Sequence, residues 1–147
     1  MPLKIDFKAG DKMVINGAVV ENVGPNTKML VHNESAILRE KEVLSTADTN
    51  TPASRVYFAL QCAYIFPQKA EEYIDAFRHL LAEYVAACPS AKPLADTITA
   101  EVDKGRVYKA LKKTHALISH EVDTIKSLER DVEGGKLDDM VEAVEAD

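Results

Sequence analysis

The chain has 147 residues, of which 46% are hydrophobic and 29% charged, with a formal net charge of −6; such values are typical of a single globular domain with or without a short appendage. No apolar run approaches the ~20 residues of a membrane span, and the N-terminus lacks a signal-peptide pattern, so we expect a cytoplasmic protein with no membrane partner. Residues 1–130 carry equal numbers of acidic and basic groups, and the surplus carboxylates lie in 131–147, so the net charge does not exclude a nucleic-acid partner for the body.

The first 46 residues have the pattern of a small antiparallel β-sheet. Leu3, Ile5 and Phe7 alternate with charged residues, which is the period of a half-buried strand. Asn16-Gly17 favours a tight hairpin turn because both positions tolerate a positive φ. Strands are predicted at 3–7, 13–15, 18–20, 28–32 and 36–44. So small a sheet cannot bury enough apolar area alone, and we expect it to pack on the helices or on a second copy.

The chain after residue 50 is predicted to form an antiparallel bundle of about four helices. Thr51-Pro52 is a strong helix start, with Thr as the N-cap and Pro at the first helical position. The helix that follows ends before Pro67 and is apolar on two faces, so we interpret it as a central rod that is covered on both sides. Further helices are predicted at about 68–88, from 92 to a C-cap at Gly105, and at about 106–130.

The last predicted helix carries an apolar seam and a basic face. The seam consists of Tyr108, Leu111, His115, Ile118, Val122 and Ile125. The residues from 131 on are acidic and predict a mostly disordered tail. The fold class is therefore α+β, with a β-stranded region at 1–46, an α-helical region at 51–130 and an acidic tail at 131–147.

The sequence contains no arrangement of residues that indicates catalysis. Phosphate-binding glycine loops, metalloprotease and nucleophile-elbow motifs are absent, and the histidines and acidic residues are not clustered. Cys62 and Cys88 lack metal or redox spacing and are most simply core residues. We therefore expect no catalytic residues, no metal and no cofactor, and a protein that is not an enzyme.

The N-terminal 61 residues resemble a known family. They contain MPLKI-x-F-x-x-G-x-K-x-V-I-N-G-A-V-V-E-N, then L-V-H-N-x-x-A-I-L-R-E-K-E-V, and later T-P-A-S-R-V-Y-F-A-L-Q. These motifs are similar to those of the FlbT family of bacterial flagellar regulators. The resemblance implies a post-transcriptional regulator that binds the 5′ untranslated region of flagellin mRNA and lowers its translation or lifetime. Some members are activators, so the resemblance leaves the sign of regulation open.

A shorter stretch resembles the CsrA family of translational repressors. The similar residues are Gly10-Asp11-Lys12-x-x-Ile15 and the run Ile37-Leu38-Arg39-Glu40-Lys41-Glu42-Val43. In that family the arginine before the acidic run contacts RNA in an intertwined dimer. The resemblance implies an RNA contact for Arg39.

An RNA-binding role requires cations that neutralise phosphates and a surface that reads unpaired bases. Arg39 is the best candidate because its planar guanidinium binds phosphate and guanine edges. The candidate RNA-binding residues of the β region are Arg39, Lys41, Lys12, Lys28 and His32. A simpler interpretation pairs Arg39 and Lys41 with Glu34, Glu40 or Glu42 on an exposed edge. The alternative basic surface, opposite the seam of the last helix, consists of Arg106, Lys109, Lys112 and Lys113, with His120 beside them.

A second hypothesis is a protein-binding adaptor. In it, the doubly apolar helix at 52–66 or the long amphipathic helices capture flagellin or a flagellin chaperone. The apolar surface left by a small sheet and a two-faced helix also favours a homodimer. The two hypotheses predict different salt dependence, because an apolar interface is insensitive to salt and phosphate binding is not.

Overall fold

The β region forms two small antiparallel sheets. The computed structural model describes residues 2–133, and its strands are β1 (Leu3–Phe7), β2 (Lys12–Ile15), β3 (Ala18–Glu21), β4 (Thr27–Val31) and β5 (Ile37–Arg39). β1 pairs with β4, and β2 lies between β3 and β5. The α+β class is thereby confirmed, but the prediction of one sheet is wrong in detail because the chain divides its strands between two layers.

The Asn16-Gly17 turn joins β2 to β3 as predicted. Both residues have a positive φ, 50° and 88°, and Met13 lies opposite Val20 in the ladder. The Asn16 side chain accepts a hydrogen bond from the Ala36 backbone N–H at 2.9 Å. The turn is therefore fastened to the segment that leads into β5.

The three-stranded sheet is the middle layer of the molecule. Val14 and Leu38 face the helices and belong to the main core. Met13, on the other face of β2, packs with Ile5 and Phe7 of β1 in a second, smaller core. Each sheet thus buries one face against the other, and the middle sheet buries its second face against the bundle.

The strand predicted at 36–44 is shorter in the structure. β5 ends at Arg39, and Glu40–Glu42 form a single 3₁₀ turn. The Glu42 carboxylate accepts a hydrogen bond from the Arg39 backbone N–H at 3.1 Å, which closes the turn. Lys41 consequently lies on a helical turn rather than on a sheet edge.

Four helices follow, as predicted. Their bounds are α1 (Pro52–Ile65), α2 (Ala70–Ala87), α3 (Lys92–Asp103) and α4 (Val107–Asp131). Thr51 caps α1, accepting a hydrogen bond from the Ser54 backbone N–H at 3.2 Å. Gly105, with φ 76°, ends the α3 segment at the predicted position. The predicted division of the chain into regions at residues 46 and 51 stays a prediction.

α1 is the central rod of the fold. Ten of its 14 residues are buried, because α2 and α4 pack on it and the middle sheet covers its remaining side. The buried Gln61 side chain forms two hydrogen bonds with the backbone of Leu44, accepting from its N–H at 2.7 Å and donating to its carbonyl at 2.9 Å. This pair, here named the Gln61 clamp, holds the connector between the β region and the bundle against α1.

The core-facing side of α4 differs from the predicted seam. The buried residues are Ala110, Leu111, Thr114, Leu117 and Glu121, so only Leu111 of the predicted set is fully buried. At 100° per residue, the observed face is rotated by about a quarter turn from the predicted one. The difference arises because small and polar side chains, notably Ala110 and Thr114, are fully buried on this face although their hydropathy does not mark them as core residues.

Several further predictions concern the chain as a whole. In the part of the chain that the structure describes, no helix is long and apolar enough to cross a membrane. Cys62 is buried and Cys88 half-buried, and both are free thiols, as expected for core cysteines. The predicted acidic tail begins at residue 131, and its residues 134–147 lie outside the described part of the chain.

Candidate nucleic-acid interface

Three of the five candidate residues of the β region share one cleft. Arg39 at the end of β5, Lys41 on the following turn and Lys12 at the start of β2 line an open depression of about 390 Å³. Asp11, Met13 and Glu40 complete its wall. We name this depression the Arg39 cleft. It exists because β2 and β5 pair antiparallel, with Met13 opposite Arg39 in the register.

The cations of the Arg39 cleft are not equally available. Lys12 forms an exposed ion pair with Glu21 across the β2–β3 ladder, at 3.6 Å. Within residues 2–133, no carboxylate lies within 4.0 Å of the charged groups of Arg39 or Lys41. Both residues are exposed. The interpretation in which Arg39 and Lys41 pair with Glu34, Glu40 or Glu42 is therefore wrong for the described part of the chain.

Lys28 and His32 lie elsewhere. Lys28 is in β4, on the outer face of the two-stranded sheet, and lies opposite Asp6 in the register. His32 follows the same strand and is exposed. Because the Arg39 cleft lies in the other sheet, the structure does not bring these two residues together with Arg39.

The alternative basic surface on α4 divides into paired and unpaired cations. Lys113 lies 3.3 Å and Arg106 4.0 Å from the carboxylate of Glu101 on α3. Burial raises the pKa of the Glu101 carboxyl, but the hydrogen bond and charge of Lys113 and the charge of Arg106 outweigh it, so that the pKa is lowered overall. Lys109 and Lys112 form no ion pair within residues 2–133.

Two tyrosines lie among the α4 cations, a feature that sequence reasoning missed. The ring centroids of Tyr64 on α1 and Tyr108 on α4 are 5.3 Å apart, and Lys112 Nζ lies 5.3 Å from the Tyr108 centroid. Tyr64 and Tyr108 border a cleft of about 800 Å³, here named the tyrosine cleft. Its walls include Asn16, Glu34, Tyr64, Arg106, Tyr108 and Lys109. The sequence offered one signal for these rings, which is that Tyr108 lies one residue before Lys109 and four before Lys112.

Glu42 connects the two basic regions. One carboxylate oxygen accepts the hydrogen bond of the Arg39 backbone N–H, and the other accepts the Tyr108 hydroxyl at 2.8 Å. Burial, together with this hydrogen bond and the charge of Glu42, raises the pKa of Tyr108 to about 12, while the charge of Arg39 opposes the shift. Glu42 thus joins the end of β5 to α4, the two elements that carry the basic surfaces predicted as rivals.

The adaptor hypothesis loses one of its two proposed surfaces. Val56, Leu60 and Ile65 of α1 are buried within the monomer, on faces that the hypothesis requires to be free. In the described range, no cluster of three or more His, Cys, Asp or Glu side chains has the arrangement of a metal site. The strongest remaining feature is the pair of basic clefts whose walls are linked through Glu42.

The fold and these clefts define a small α+β protein whose candidate site is an open, cationic surface rather than an enclosed pocket. A family model described as "Flagellar protein FlbT" matches residues 3–125. The chain therefore belongs to the FlbT family, as the sequence motifs predicted.

Curated relatives align over most of the chain. One relative is named probable flagellum biosynthesis repressor protein FlbT and comes from Caulobacter sp. (strain K31). This chain is 34% identical to it, over 82% of this chain and 94% of the relative. It is 31% identical over 92% of its length, and over 97% of the relative, to a protein of the same name from Caulobacter vibrioides (strain NA1000 / CB15N). No solved structure matches the chain.

Proposed function

We propose that this protein represses flagellin synthesis in the cytoplasm by binding single-stranded RNA in the 5′ untranslated region of flagellin mRNA. One observation carries the proposal: Glu42 binds both the Arg39 backbone and the Tyr108 hydroxyl, which links the exposed cations at the end of β5 to a pair of tyrosine rings with Lys112 over one of them. The names of the curated relatives, flagellum biosynthesis repressors, support the direction of regulation.

The arrangement suits an unpaired strand better than a duplex. Unpaired RNA is bound by cations that follow the backbone and by aromatic rings on which bases stack. The Arg39 guanidinium supplies a planar group for phosphate or guanine, and the tyrosine cleft supplies rings next to Lys109 and Lys112. Neither cleft is enclosed, so a long polymer can enter and leave.

Repression requires occupancy and no chemical step. A protein bound to the leader of an mRNA excludes the ribosome from that segment, or leaves the message open to nucleases. The affinity arises largely from the release of counterions from the phosphates, and it therefore falls as salt rises. The proposed protein is accordingly not an enzyme.

The test is equilibrium binding of a fluorescent flagellin leader RNA, measured by anisotropy at two salt concentrations. Arg39→Ala removes a phosphate or base contact and is expected to weaken binding by about tenfold, and Lys112→Ala by about fivefold. Each change should also reduce the slope of log affinity against log salt by about 0.7.

Lys92→Ala is the matched control. Lys92 is an exposed cation of α3, paired with Asp96, and its loss changes the net charge by the same amount. We expect wild-type RNA affinity for this variant. Equal effects of the three substitutions would mean that only net charge matters, and an absence of RNA binding by the folded wild-type protein would reject the proposed function.

A further inference from the structure

α4 extends beyond the helices that cover it. It has 25 residues and is about 37 Å long, whereas α1 has 14 residues and is about 21 Å long. The N-terminal half of α4 buries its core-facing side against α1 and α3. The last turns of the helix project past these neighbours, so within residues 2–133 their core-facing side is largely exposed.

The projecting part of α4 nevertheless keeps an apolar face. Val122, Ile125, Leu128 and Val132 are 43%, 45%, 56% and 46% exposed. With Glu121 as the last buried residue, Ile125, Leu128 and Val132 continue the line of the buried face at 100° per residue. We name these four residues the α4 stripe. Aliphatic residues that repeat at this spacing on a projecting helix are the pattern of a helix–helix contact.

An apolar groove lies beside the α4 stripe. It has a volume of about 320 Å³ and runs between the C-terminal halves of α2 and α4, next to the start of α1. Its walls include Leu80, Ala87, Cys88, Glu121 and Ile125. Ile125 belongs to both the groove and the stripe, so a helix that covers the stripe also reaches the groove.

We propose that the α4 stripe is the interface of a homodimer, in which the projecting ends of two α4 helices pack antiparallel around a two-fold axis between residues 126 and 127. In that register, Ile125 of one copy lies opposite Leu128 of the second copy. Val132 of each copy lies opposite residue 121 of the other, beside the groove. The contact is isologous, so the same surface serves both partners and the assembly closes at two chains.

The charges beside the α4 stripe are complementary in this arrangement. Lys126 and Glu129 lie on the same flank of the stripe, one and four residues after Ile125. An antiparallel two-fold contact brings equal flanks together, which places Lys126 of each copy next to Glu129 of the other. A parallel contact would not pair these residues, so the charges select the antiparallel arrangement.

The area sets the strength of the dimer. The four stripe side chains expose on the order of 300 Å² of apolar surface per copy, and the groove walls add to it. A standard stable interface buries about 800 Å² per partner. The interface is thus of the weak class, and the dimer should dissociate on dilution.

The test is analytical ultracentrifugation of the full chain over a range of concentrations. We expect a reversible monomer–dimer equilibrium. Leu128→Ser should abolish the dimer, and because Leu128 is exposed the variant should retain the circular dichroism spectrum of the wild type. Lys126→Glu and Glu129→Lys should each raise the dimer dissociation constant by about tenfold, because each places two pairs of like charges together.

The double substitution Lys126→Glu with Glu129→Lys is the decisive variant. It restores opposite charges across the two-fold axis, so its dissociation constant should return to within about threefold of the wild-type value. A wild-type chain that is monomeric at all concentrations would overturn the proposal. A dimer that forms only when the chain is shortened to residues 1–133 would also overturn it, because residues 134–147 would then be what covers the stripe.

Discussion

Glu42 is the residue on which the candidate interface is built. Its carboxylate binds the Arg39 backbone and the Tyr108 hydroxyl, and its carbonyl accepts the hydroxyl of buried Tyr57. The side-chain contact to Tyr108 spans 66 positions of the chain. From the sequence, Glu42 was only a possible ion-pair partner for its neighbours, because nothing local indicates which distant hydroxyl a carboxylate will meet.

Alkaline pH should destabilise the fold through Tyr84, which is buried, and Tyr108, which is half-buried. Burial raises the pKa of Tyr84 to about 12 and, with Glu42, that of Tyr108 to about 12. An unfolded chain releases these protons near pH 10. The unfolded state is therefore increasingly favoured above about pH 10. The stabilisation that the protonated tyrosines contribute is complete below pH 10 and is lost progressively towards pH 12. Urea unfolding midpoints over this range, with phenolate absorbance recorded in parallel, measure the loss.

The Tyr108→Phe variant separates this effect from general alkaline damage. It lacks the hydroxyl that titrates, so its stability should fall less steeply above pH 10 than that of the wild type. Below pH 10 it should be less stable by about 1 kcal/mol, because the hydrogen bond to Glu42 is lost. A wild type whose tyrosines ionise near pH 10 without loss of stability would contradict the assignment.

The elements that the sequence predicted well are those with local causes. The Asn16-Gly17 turn and the Thr51-Pro52 helix start depend on the conformational preferences of two residues each, and both occur where predicted. The buried face of α4 depends on which helices it meets, and the division of the strands into two sheets depends on β4 returning to β1. Neither is encoded in hydrophobic periodicity alone, which explains the rotated seam.

The hairpin between β2 and β3 should be sensitive to its glycine. Gly17 has φ 88°, and a Cβ there would lie 3.3 Å from the Phe66 ring at the end of α1. Gly17→Ala is expected to lower the free energy of unfolding by about 1–2 kcal/mol, since a side chain is disfavoured in this conformation. Chemical denaturation measures the change.

Gly24→Ala is the matched control for this prediction. A Cβ at Gly24 would meet only the Asn22 side chain, at an ordinary 3.7 Å, and Gly24 does not have a positive φ. Its substitution should change the free energy of unfolding by less than about 0.5 kcal/mol. Similar losses for Gly17→Ala and Gly24→Ala would show that the turn conformation is not the cause.

At the scale of the whole molecule, charge is distributed unevenly along the chain. The body is balanced, and residues 134–147 carry five carboxylates against one lysine. The sequence singled out Arg39, Lys41 and the α4 cations as candidates for RNA binding, and that choice stays a prediction. It did not show that Glu42 links β5 to Tyr108 or that the rings of Tyr64 and Tyr108 meet, because both contacts result from the packing of distant elements around α1.

Deletion of residues 134–147 should strengthen RNA binding. The deletion changes the formal net charge from −6 to −2, which reduces the repulsion of phosphates by the chain. We expect a gain in affinity of a few-fold at low salt that disappears at high salt, where such repulsion is screened. Anisotropy with the same leader RNA measures it.

A chain of full length with Asp138, Asp139 and Glu142 replaced by the corresponding amides is the control. It keeps the length of the tail and removes three of its charges, so it should show part of the gain. If the deletion strengthens binding and the amide variant does not, the effect is steric and not electrostatic. Unchanged affinity in both would reject a role for the tail charges.

The Gln61 clamp has a consequence for the way a polymer would be recognised. Its two hydrogen bonds fasten the backbone of Leu44 to α1, so the segment that follows β5 is held in place against the helices. A flexible ligand must then adopt the spacing that the protein presents. Such a surface favours strands whose phosphates match its spacing, in addition to the contacts that it makes with their bases.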